Sequence, residues 1–282
     1  MKFKVFSELA YEVKMPSTFI FNIQASRTPN QVILEESLVL DPHLPLEEFT
    51  SQNGESRFLR LKVKENTSFR ISYNALVDMR YKIINENHSQ EKVQVEKLDA
   101  GIIPFLFPSR YCQSDKLQKL AYKEFGNIED VYSKVVAINN WIYNNVEYIS
   151  GSTNASTSAM DTISERAGVC RDFAHLGIAL CRSLSIPARY FTGYAYQLNP
   201  PDFHACFEAY IDNEWIFFDP TRLVPINGLI KISNGRDAAD AAVASIFGNT
   251  ICTLMNVNCE SVDPDFKPYI YQEADASGLS YQ

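Results

Sequence analysis

The sequence lacks the features that mark membrane, secreted and nucleic-acid-binding proteins. No stretch approaches the ~20 consecutive apolar residues of a transmembrane helix. The first 15 residues carry charges throughout, so they predict a strand of the mature fold rather than a secretory signal. The 26 basic side chains are outnumbered by 34 acidic ones, which gives a net charge of −8. This balance favours neither nucleic acid nor an anionic membrane as a partner.

The signatures of common metal and redox sites are also missing. The six cysteines contain no CxxC pair, the four histidines show no HExxH spacing, and no DxDxDG calcium loop occurs. We therefore expect neither a metal nor another cofactor. Without a secretory signal the thiols are expected to be reduced, which predicts a cytoplasmic protein.

The N-terminal part of the chain is predicted to form strands. A chain of 282 residues is long enough for one large domain or two ordinary ones. Over residues 1–100, runs of apolar side chains at every second position predict half-buried strands, and several such runs predict an antiparallel β-sandwich. The clearest runs contain Phe19, Phe21 and Ile23, then Leu59, Leu61 and Val63, then Phe69, Ile71 and Tyr73, then Val77, Met79, Tyr81 and Ile83.

The pattern becomes helical after residues 101–110, where two prolines predict a connector. Ser114 or Asp115 can cap a helix that runs to about Phe125. A second helix is expected to follow, with an apolar face formed by Val131, Val135, Ile138, Ile142 and Val146. We therefore divide the chain into an N-terminal β-sandwich domain, residues 1–100, and a second domain, residues 101–282.

Cys170 is predicted to lie at the start of a buried helix. An apolar helical pattern follows Gly168-Val169-Cys170, and the helix should end before Ile186-Pro187, because proline disfavours a helical conformation at the preceding residue. The unpaired N–H groups of a helix N-terminus favour a thiolate, which is the nucleophilic form of cysteine.

A predicted hairpin brings a histidine and a carboxylate together. Two strand-like runs flank Asp212-Asn213, a good two-residue turn. A tight turn there places His204 and Asp219 on the same face as diagonal neighbours, roughly 7–8 Å apart at the backbone. A shift of one residue in the register would put them on opposite faces.

These three residues predict a thiol enzyme. Cys170 would attack a substrate carbonyl, His204 would move the proton, and Asp219 would orient the imidazole through its far nitrogen. The Cys170 backbone N–H can contribute to an oxyanion hole, for which the sequence shows no second donor. Any one cysteine is usually a core residue, and only the combined arrangement favours catalysis. We apply the core interpretation to Cys112, Cys181, Cys206, Cys252 and Cys259.

Two segments, GVCRDFAHLGIALCRSLSIPARYFTGYA and DFHACFEAYIDNEWIFFDPT, resemble the transglutaminase-core superfamily. More narrowly, they are similar to bacterial transglutaminase-like proteins described as cysteine proteases. Residues 108–112 and 235–240 resemble segments that flank the family's core, and residues 1–100 resemble its accessory domain more loosely. The matched positions are Gly168, Val169, Cys170, Asp172, Ala174, His175, Ile186, Pro187, Ala188, Arg189, Gly193, Tyr194, His204, Asp219 and Pro220.

The resemblance implies an α+β protein, with a papain-like (transglutaminase-core) catalytic domain behind the β-sandwich domain. It implies a Cys–His–Asp triad, which by position is Cys170, His204 and Asp219. The predicted activity is that of a cysteine peptidase or amidase that acts on a peptide or protein amide through a thioester. Two alternatives stay open, namely transfer of the acyl group to an amine, as in a true transglutaminase, and a non-enzymatic scaffold for protein contacts.

Other residues of the matched segments are predicted to be structural. His175 lies about 140° around the helix from Cys170, so neither it nor Asp172 is expected to act as the base. Arg189 and Asp237 are interpreted as buried support. Towards the C-terminus, residues 237–247 predict a helix and residues 251–257 predict a strand.

Overall fold

The structure is a computed structural model that describes residues 1–51, 55–64, 66–84, 93–271 and 278–281. The helices within these residues are α1 (Ser114–Phe125), α2 (Val131–Asn145), α3 (Ala159–Glu165), α4 (Cys170–Ser183) and α5 (Ala238–Ala241). The strands are β1 (Lys2–Val13), β2 (Ser17–Phe21), β3 (Gln31–Asp41), β4 (Leu46–Thr50), β5 (Arg57–Val63), β6 (Thr67–Met79), β7 (Lys82–Ile84), β8 (Glu147–Tyr148), β9 (Ala167–Gly168), β10 (Ala188–Ala195), β11 (Phe203–Ile211), β12 (Glu214–Phe218), β13 (Leu229–Gly235), β14 (Ala244–Phe247), β15 (Thr250–Ser261) and β16 (Gly278–Ser280). Within the described part of the chain, none of the helices combines the length and apolar character that a membrane crossing needs.

Two four-stranded antiparallel sheets hold most of the N-terminal strands. One has the strand order β15-β1-β6-β3 and the other β14-β2-β5-β4. Every second side chain of β1 and β6 is buried, as the period of two predicts. Rings from both sheets, those of Tyr11, Phe19, Phe21 and Phe69, pack together with centroids 4.9 to 6.2 Å apart. These sheets are consistent with the expected N-terminal β domain.

Strands from the C-terminal part of the chain complete both sheets. β15 pairs with β1 along its length, and β14 pairs with β2. The strand expected over residues 251–257 is confirmed as β15. The helix expected over residues 237–247 is wrong beyond Ala241, because the chain becomes extended at Ala242 and continues as β14. Pairing with β2 satisfies backbone groups there and overrides the helical propensity of the alanines. The division of the chain at residue 100 stays a prediction.

A six-stranded sheet supports the candidate site. Its strand order is β13-β10-β11-β12-β16-β7, and each neighbouring pair is antiparallel. Helix α4 packs on β10 and β11 and is surrounded by α1, α2 and α3. A Cβ atom at Gly177 would lie 2.6 Å from the Phe207 ring, so only glycine allows this close approach of helix and sheet. Every residue of α4 from Asp172 onward is buried, so the helix is a rigid support for its first residue, Cys170.

Helices α1, α2 and α4 lie where the sequence predicts them, but the predicted cap of α1 at Ser114 or Asp115 is wrong, because the N-cap is Gln113. Helix α1 ends at Phe125. Helix α2 begins after Asp130, whose carboxylate accepts the Ser133 N–H at 2.7 Å. Helix α4 ends at Ser183, ahead of Ile186-Pro187.

Strands β11 and β12 form the predicted hairpin. The turn residues Asp212 and Asn213 both have left-handed backbones, with φ of 51° and 65°. Two left-handed residues form the turn whose twist matches that of the flanking strands. Ile211 pairs with Glu214, and the pairing continues in step to Phe207 and Phe218, so the predicted register is confirmed.

Candidate active site

Cys170 is the first residue of helix α4. The Asp172 carboxylate accepts the Val169 N–H at 3.0 Å and so fixes the entry into the helix. All six cysteines lie in described parts of the chain and are free thiols. Cys170 is half-buried, whereas Cys252 is exposed and the other four are buried. A partly accessible thiol at a helix N-terminus has the setting of a reactive cysteine.

His204 and Asp219 form a buried pair at the open end of the β11–β12 hairpin. The His204 Nε2 and Asp219 Oδ2 atoms lie 2.8 Å apart, and neither side chain is exposed. The second oxygen of Asp219 accepts the Thr221 N–H at 2.9 Å and the Thr221 hydroxyl at 2.7 Å. The other ring nitrogen, His204 Nδ1, has no hydrogen-bond partner among the described residues. The carboxylate thus fixes the ring and leaves one nitrogen available.

A cavity of about 620 Å³ connects the thiol and the imidazole. Cys170 and His204 both line it, together with Tyr190, Thr192 and the segment 241–247. Cys170 is among the groups that raise the pKa of His204, which places the thiol near the ring. The cavity therefore gives a substrate access to Cys170, with the buried imidazole beside its wall.

Known proteins are similar to this chain over most of its length. Residues 1–101 match the family described as "Bacterial transglutaminase, N-terminal domain", and residues 118–220 match the "Transglutaminase-like superfamily". A crystal structure from Cytophaga hutchinsonii, described as a "putative cysteine protease", is 68% identical and matches 100% of this chain and 98% of its own, with a TM-score of 0.98. The chain belongs to the transglutaminase-like superfamily.

Two curated relatives match part of the chain. An uncharacterized protein of Mycobacterium leprae is 31% identical over 146 residues, which are 49% of this chain and 52% of the relative. An uncharacterized protein of Mycobacterium bovis is 35% identical over 138 residues, which are 43% of this chain and 44% of the relative. The match therefore spans about half the length of these curated relatives.

The electrostatics of the transglutaminase-like core favour a charged histidine. Burial by itself lowers the pKa of His204, but the nearby acidic groups Cys206 and Asp219, the hydrogen bond that the ring donates to Asp219 and the neighbouring Cys170 raise it well above its usual value. Burial by itself raises the pKa of Asp219, but the His204 charge and hydrogen bonds from His204 and Thr221 bring it below its usual value. Burial raises the pKa of the Cys206 thiol, which stays protonated at neutral pH. Asp219 is therefore the anion that holds the imidazolium.

Tyr148 lies beside Cys170 in the transglutaminase-like core and was not found from the sequence. Tyr148 pairs with Gly168 in the short parallel ladder of β8 and β9, and the Ile149 N–H donates to the Gly168 carbonyl at 3.0 Å. Tyr148 is 41% exposed, yet partial burial of the phenol raises its pKa to about 12; the Cys170 thiol adds to the rise, and the His204 charge and a hydrogen bond from the Cys170 N–H oppose it. The phenol is thus a protonated donor next to that N–H. A two-residue strand has no period that a sequence could reveal.

Cys206 lies next to the His204–Asp219 pair. Within the residues that the structure describes, His204, Cys206 and Asp219 offer a nitrogen, a sulfur and an oxygen within 4.8 Å of one another, a donor set that suits zinc. A bound metal would need the Cys206 thiolate, against the burial that raises its pKa. It would also compete for the His204 nitrogen that Asp219 holds. The geometry therefore fits a histidine–carboxylate pair better than a metal centre.

His175 supports the core from a different face of helix α4. Its ring is stacked on Tyr111 and packed against Tyr190, with centroids 5.0 and 5.1 Å away. His175 Nε2 accepts the Ala238 N–H at 3.1 Å. Burial lowers the pKa of His175 well below its usual value, so the ring is neutral. These contacts agree with the structural role expected for His175.

The segments that flank the core in sequence meet behind it. The Asp237 carboxylate accepts the Tyr111 N–H at 2.8 Å. Arg182, near the end of α4, donates to the carbonyls of Phe107 and Arg236 at 3.0 and 2.6 Å. Residues 108–112 and 235–240 are thereby tied to each other and to α4, which agrees with the supporting role expected for Asp237.

Arg189 lies in the six-stranded sheet. Its side chain forms a buried ion pair with Glu208 and lies 4.1 Å over the Trp215 ring. These partners give Arg189 the buried supporting role that the sequence analysis expected.

Proposed function

We propose that the protein is a cysteine peptidase or amidase with a papain-like catalytic core, in which Cys170, His204 and Asp219 form the triad. The observation that carries the proposal is the state of the His204 ring. Asp219 holds one nitrogen, while the other has no hydrogen-bond partner among the described residues and the ring lines the cavity with Cys170. An imidazole held by a carboxylate and open toward a thiol suits acyl transfer through a thioester. The description of the Cytophaga hutchinsonii structure as a "putative cysteine protease" supports the same activity.

In the proposed reaction, the charged His204 ring holds the proton of the Cys170 thiol, and the sulfur attacks the acyl carbon of the substrate as the thiolate. The tetrahedral intermediate collapses, the carbon–nitrogen bond breaks, and His204 gives its proton to the leaving amine. Cys170 then carries the acyl group as a thioester. Water attacks the thioester, its proton returns through His204, and breakage of the carbon–sulfur bond releases the acid and restores the thiol.

Two donors are placed to stabilise the oxyanion of the intermediate. The Cys170 N–H belongs to the first turn of α4, where it has no acceptor within the helix, and it faces the Tyr148 hydroxyl. The Tyr148 phenol lies beside it and keeps its proton, because burial raises its pKa to about 12. We assign Tyr148 as the second oxyanion donor, which the sequence alone did not reveal.

The proposal is tested by comparing two thiols of the same chain. Iodoacetamide at pH 6.5 should alkylate Cys170 at least ~10-fold faster than the exposed Cys252, as followed by peptide mass spectrometry. A His204→Gln variant, checked for folding by circular dichroism, should lose this difference. Equal rates in the unsubstituted protein would contradict an activated thiol and favour the scaffold alternative.

A library of blocked peptides, incubated with and without a fluorescent primary amine, then identifies the acceptor. We expect hydrolysis products in both arms, and no turnover by Cys170→Ala. Incorporation of the amine in place of hydrolysis would assign the transglutaminase alternative. Full activity of the Cys170→Ala variant would contradict the proposed mechanism.

A further inference from the structure

The outer edge of β14 lies along the same cavity as Cys170. β14 is an edge strand of its sheet, which has the order β14-β2-β5-β4. The five consecutive residues 243–247 all line the cavity. Since successive side chains of a strand point to opposite faces of the sheet, a cavity that contacts every residue in turn contacts the edge of the strand.

The register shows which backbone groups of β14 point toward this open edge. The Asn22 N–H donates to the Val243 carbonyl at 2.8 Å, so this is a hydrogen-bonded pair. Such pairs alternate along an antiparallel ladder. Ser245 and Phe247 therefore bond to β2, and the N–H and C=O groups of Ala244 and Ile246 point away from it. In the described part of the chain, no other strand pairs with this edge of β14.

The cavity also contains a cation, Arg110, that has no acidic partner among the described residues. Arg110 lines it and is exposed, and its guanidinium lies 5.1 Å from the centre of the Tyr111 ring. No carboxylate of the described residues forms an ion pair with Arg110. Arg171 also lines the cavity, but it is already bound to Asp172 and to the Asn154 carbonyl. A negatively charged group in the cavity would therefore be attracted to Arg110.

We propose that the substrate is an extended peptide segment that adds as a strand to the open edge of β14, with an acidic side chain directed to Arg110. Unpaired edge groups are a ready template for a further strand, and main-chain hydrogen bonds of this kind bind peptides in several domain families. Bonds to Ala244 and Ile246 hold the peptide main chain along the cavity while Cys170 attacks one of its carbonyls. This inference rests on the proposed function and names the substrate class of that site.

The test compares peptidyl and non-peptidyl reagents on the same thiol. The probes are acetyl-tripeptidyl chloromethyl ketones, with glutamate, glutamine or lysine at each position in turn, and iodoacetamide as the reference. Ile246→Pro removes the outward N–H without breaking a bond to β2, and Ile246→Ala keeps the N–H. We expect Ile246→Pro to slow the best peptidyl reagent about tenfold, the effect of one lost hydrogen bond. Ile246→Ala should retain most of the rate, and iodoacetamide should alkylate both variants at the original rate.

A second measurement needs no variant of β14. Methylation of one amide nitrogen of the best probe should slow alkylation of the unsubstituted protein by a similar factor, at one position only. Glutamate probes should react faster than glutamine and lysine probes, and Arg110→Gln should remove that preference.

The docking proposal is overturned if neither Ile246→Pro nor any amide methylation changes the peptidyl rate while Cys170 still reacts faster than Cys252. It is also overturned if the unsubstituted protein does not prefer glutamate. If Cys170 of the unsubstituted protein does not react faster with iodoacetamide than Cys252, the proposed function is overturned, and the docking proposal with it.

Discussion

The His204 ring is held by the Asp219 carboxylate and lies near the Cys170 thiol. Its pKa is raised and that of Asp219 is lowered, so each charge stabilises the other in a buried setting. A buried ion pair is costly to break on one side only, because the remaining charge has no partner. Stability and chemistry at this pair are therefore coupled.

Asp219→Asn should make stability depend on pH in a defined way. Because the pKa of His204 is raised in the folded protein, His204 contributes stability that is fully present below pH ~6.5 and is lost as the pH rises through the raised pKa. Because the pKa of Asp219 is lowered in the folded protein, Asp219 contributes stability that is present above pH ~3.9 and is lost as the pH falls through the lowered pKa. Between those two pH values, the free energy of unfolding of the unsubstituted protein should exceed that of Asp219→Asn by about 3 kcal/mol. Urea unfolding at a series of pH values measures the difference, and a gap that grows above pH 8 would contradict the coupling.

Tyr148→Phe should test the assigned oxyanion donor. The substitution removes one hydroxyl beside Cys170, so kcat should fall about 100-fold with little change in KM, as for loss of one oxyanion donor. Tyr122→Phe, at an exposed tyrosine of α1, is the matched control. Steady-state kinetics on the best library peptide measure both variants. Equal kcat values for the two variants would remove Tyr148 from the mechanism.

At the scale of elements, the parts that local physics determines were predictable. The helix start at Cys170 follows from glycine, helical period and a later proline, and the structure has it there. The hairpin register follows from a two-residue turn whose residues tolerate left-handed backbones, and it places His204 and Asp219 in contact. Both predictions depend only on residues close together in the chain.

Other elements depend on partners that are distant in sequence. Residues 244–247 follow a run of alanines and favour a helix locally, yet they pair with β2. Tyr148 reaches Cys170 because a two-residue ladder joins β8 to β9. Neither contact leaves a local signal, because its determinant is a strand elsewhere in the chain.

At the scale of the whole molecule, the N-terminal sheets and the six-stranded sheet share one hydrophobic core. Phe3 and Ile71 belong to the same buried cluster as Phe191 and Ile230. The Tyr194 hydroxyl lies 2.8 Å from the Ser7 hydroxyl and donates to the Ile23 carbonyl at 2.6 Å. The strands on both sides of residue 100 therefore stabilise each other.

A fragment of residues 101–282 should consequently fail to fold alone. It retains the residues of the proposed triad but lacks β1 and β2, the partners of β15 and β14, and exposes the shared cluster. We expect aggregation in size-exclusion chromatography, and recovery of a soluble complex on coexpression with residues 1–100. A soluble monomeric fragment with a cooperative melting transition would show that the second part is independent.

Cys170 and His204 precede β14 in the sequence, so they are synthesised before it. One wall of the cavity comes from residues 241–247, and its strand β14 pairs with β2, which is synthesised earlier. A partly synthesised chain on the ribosome therefore carries the thiol and the imidazole without the wall that completes their cavity. The cavity is therefore complete only after β14 has been synthesised and has paired with β2.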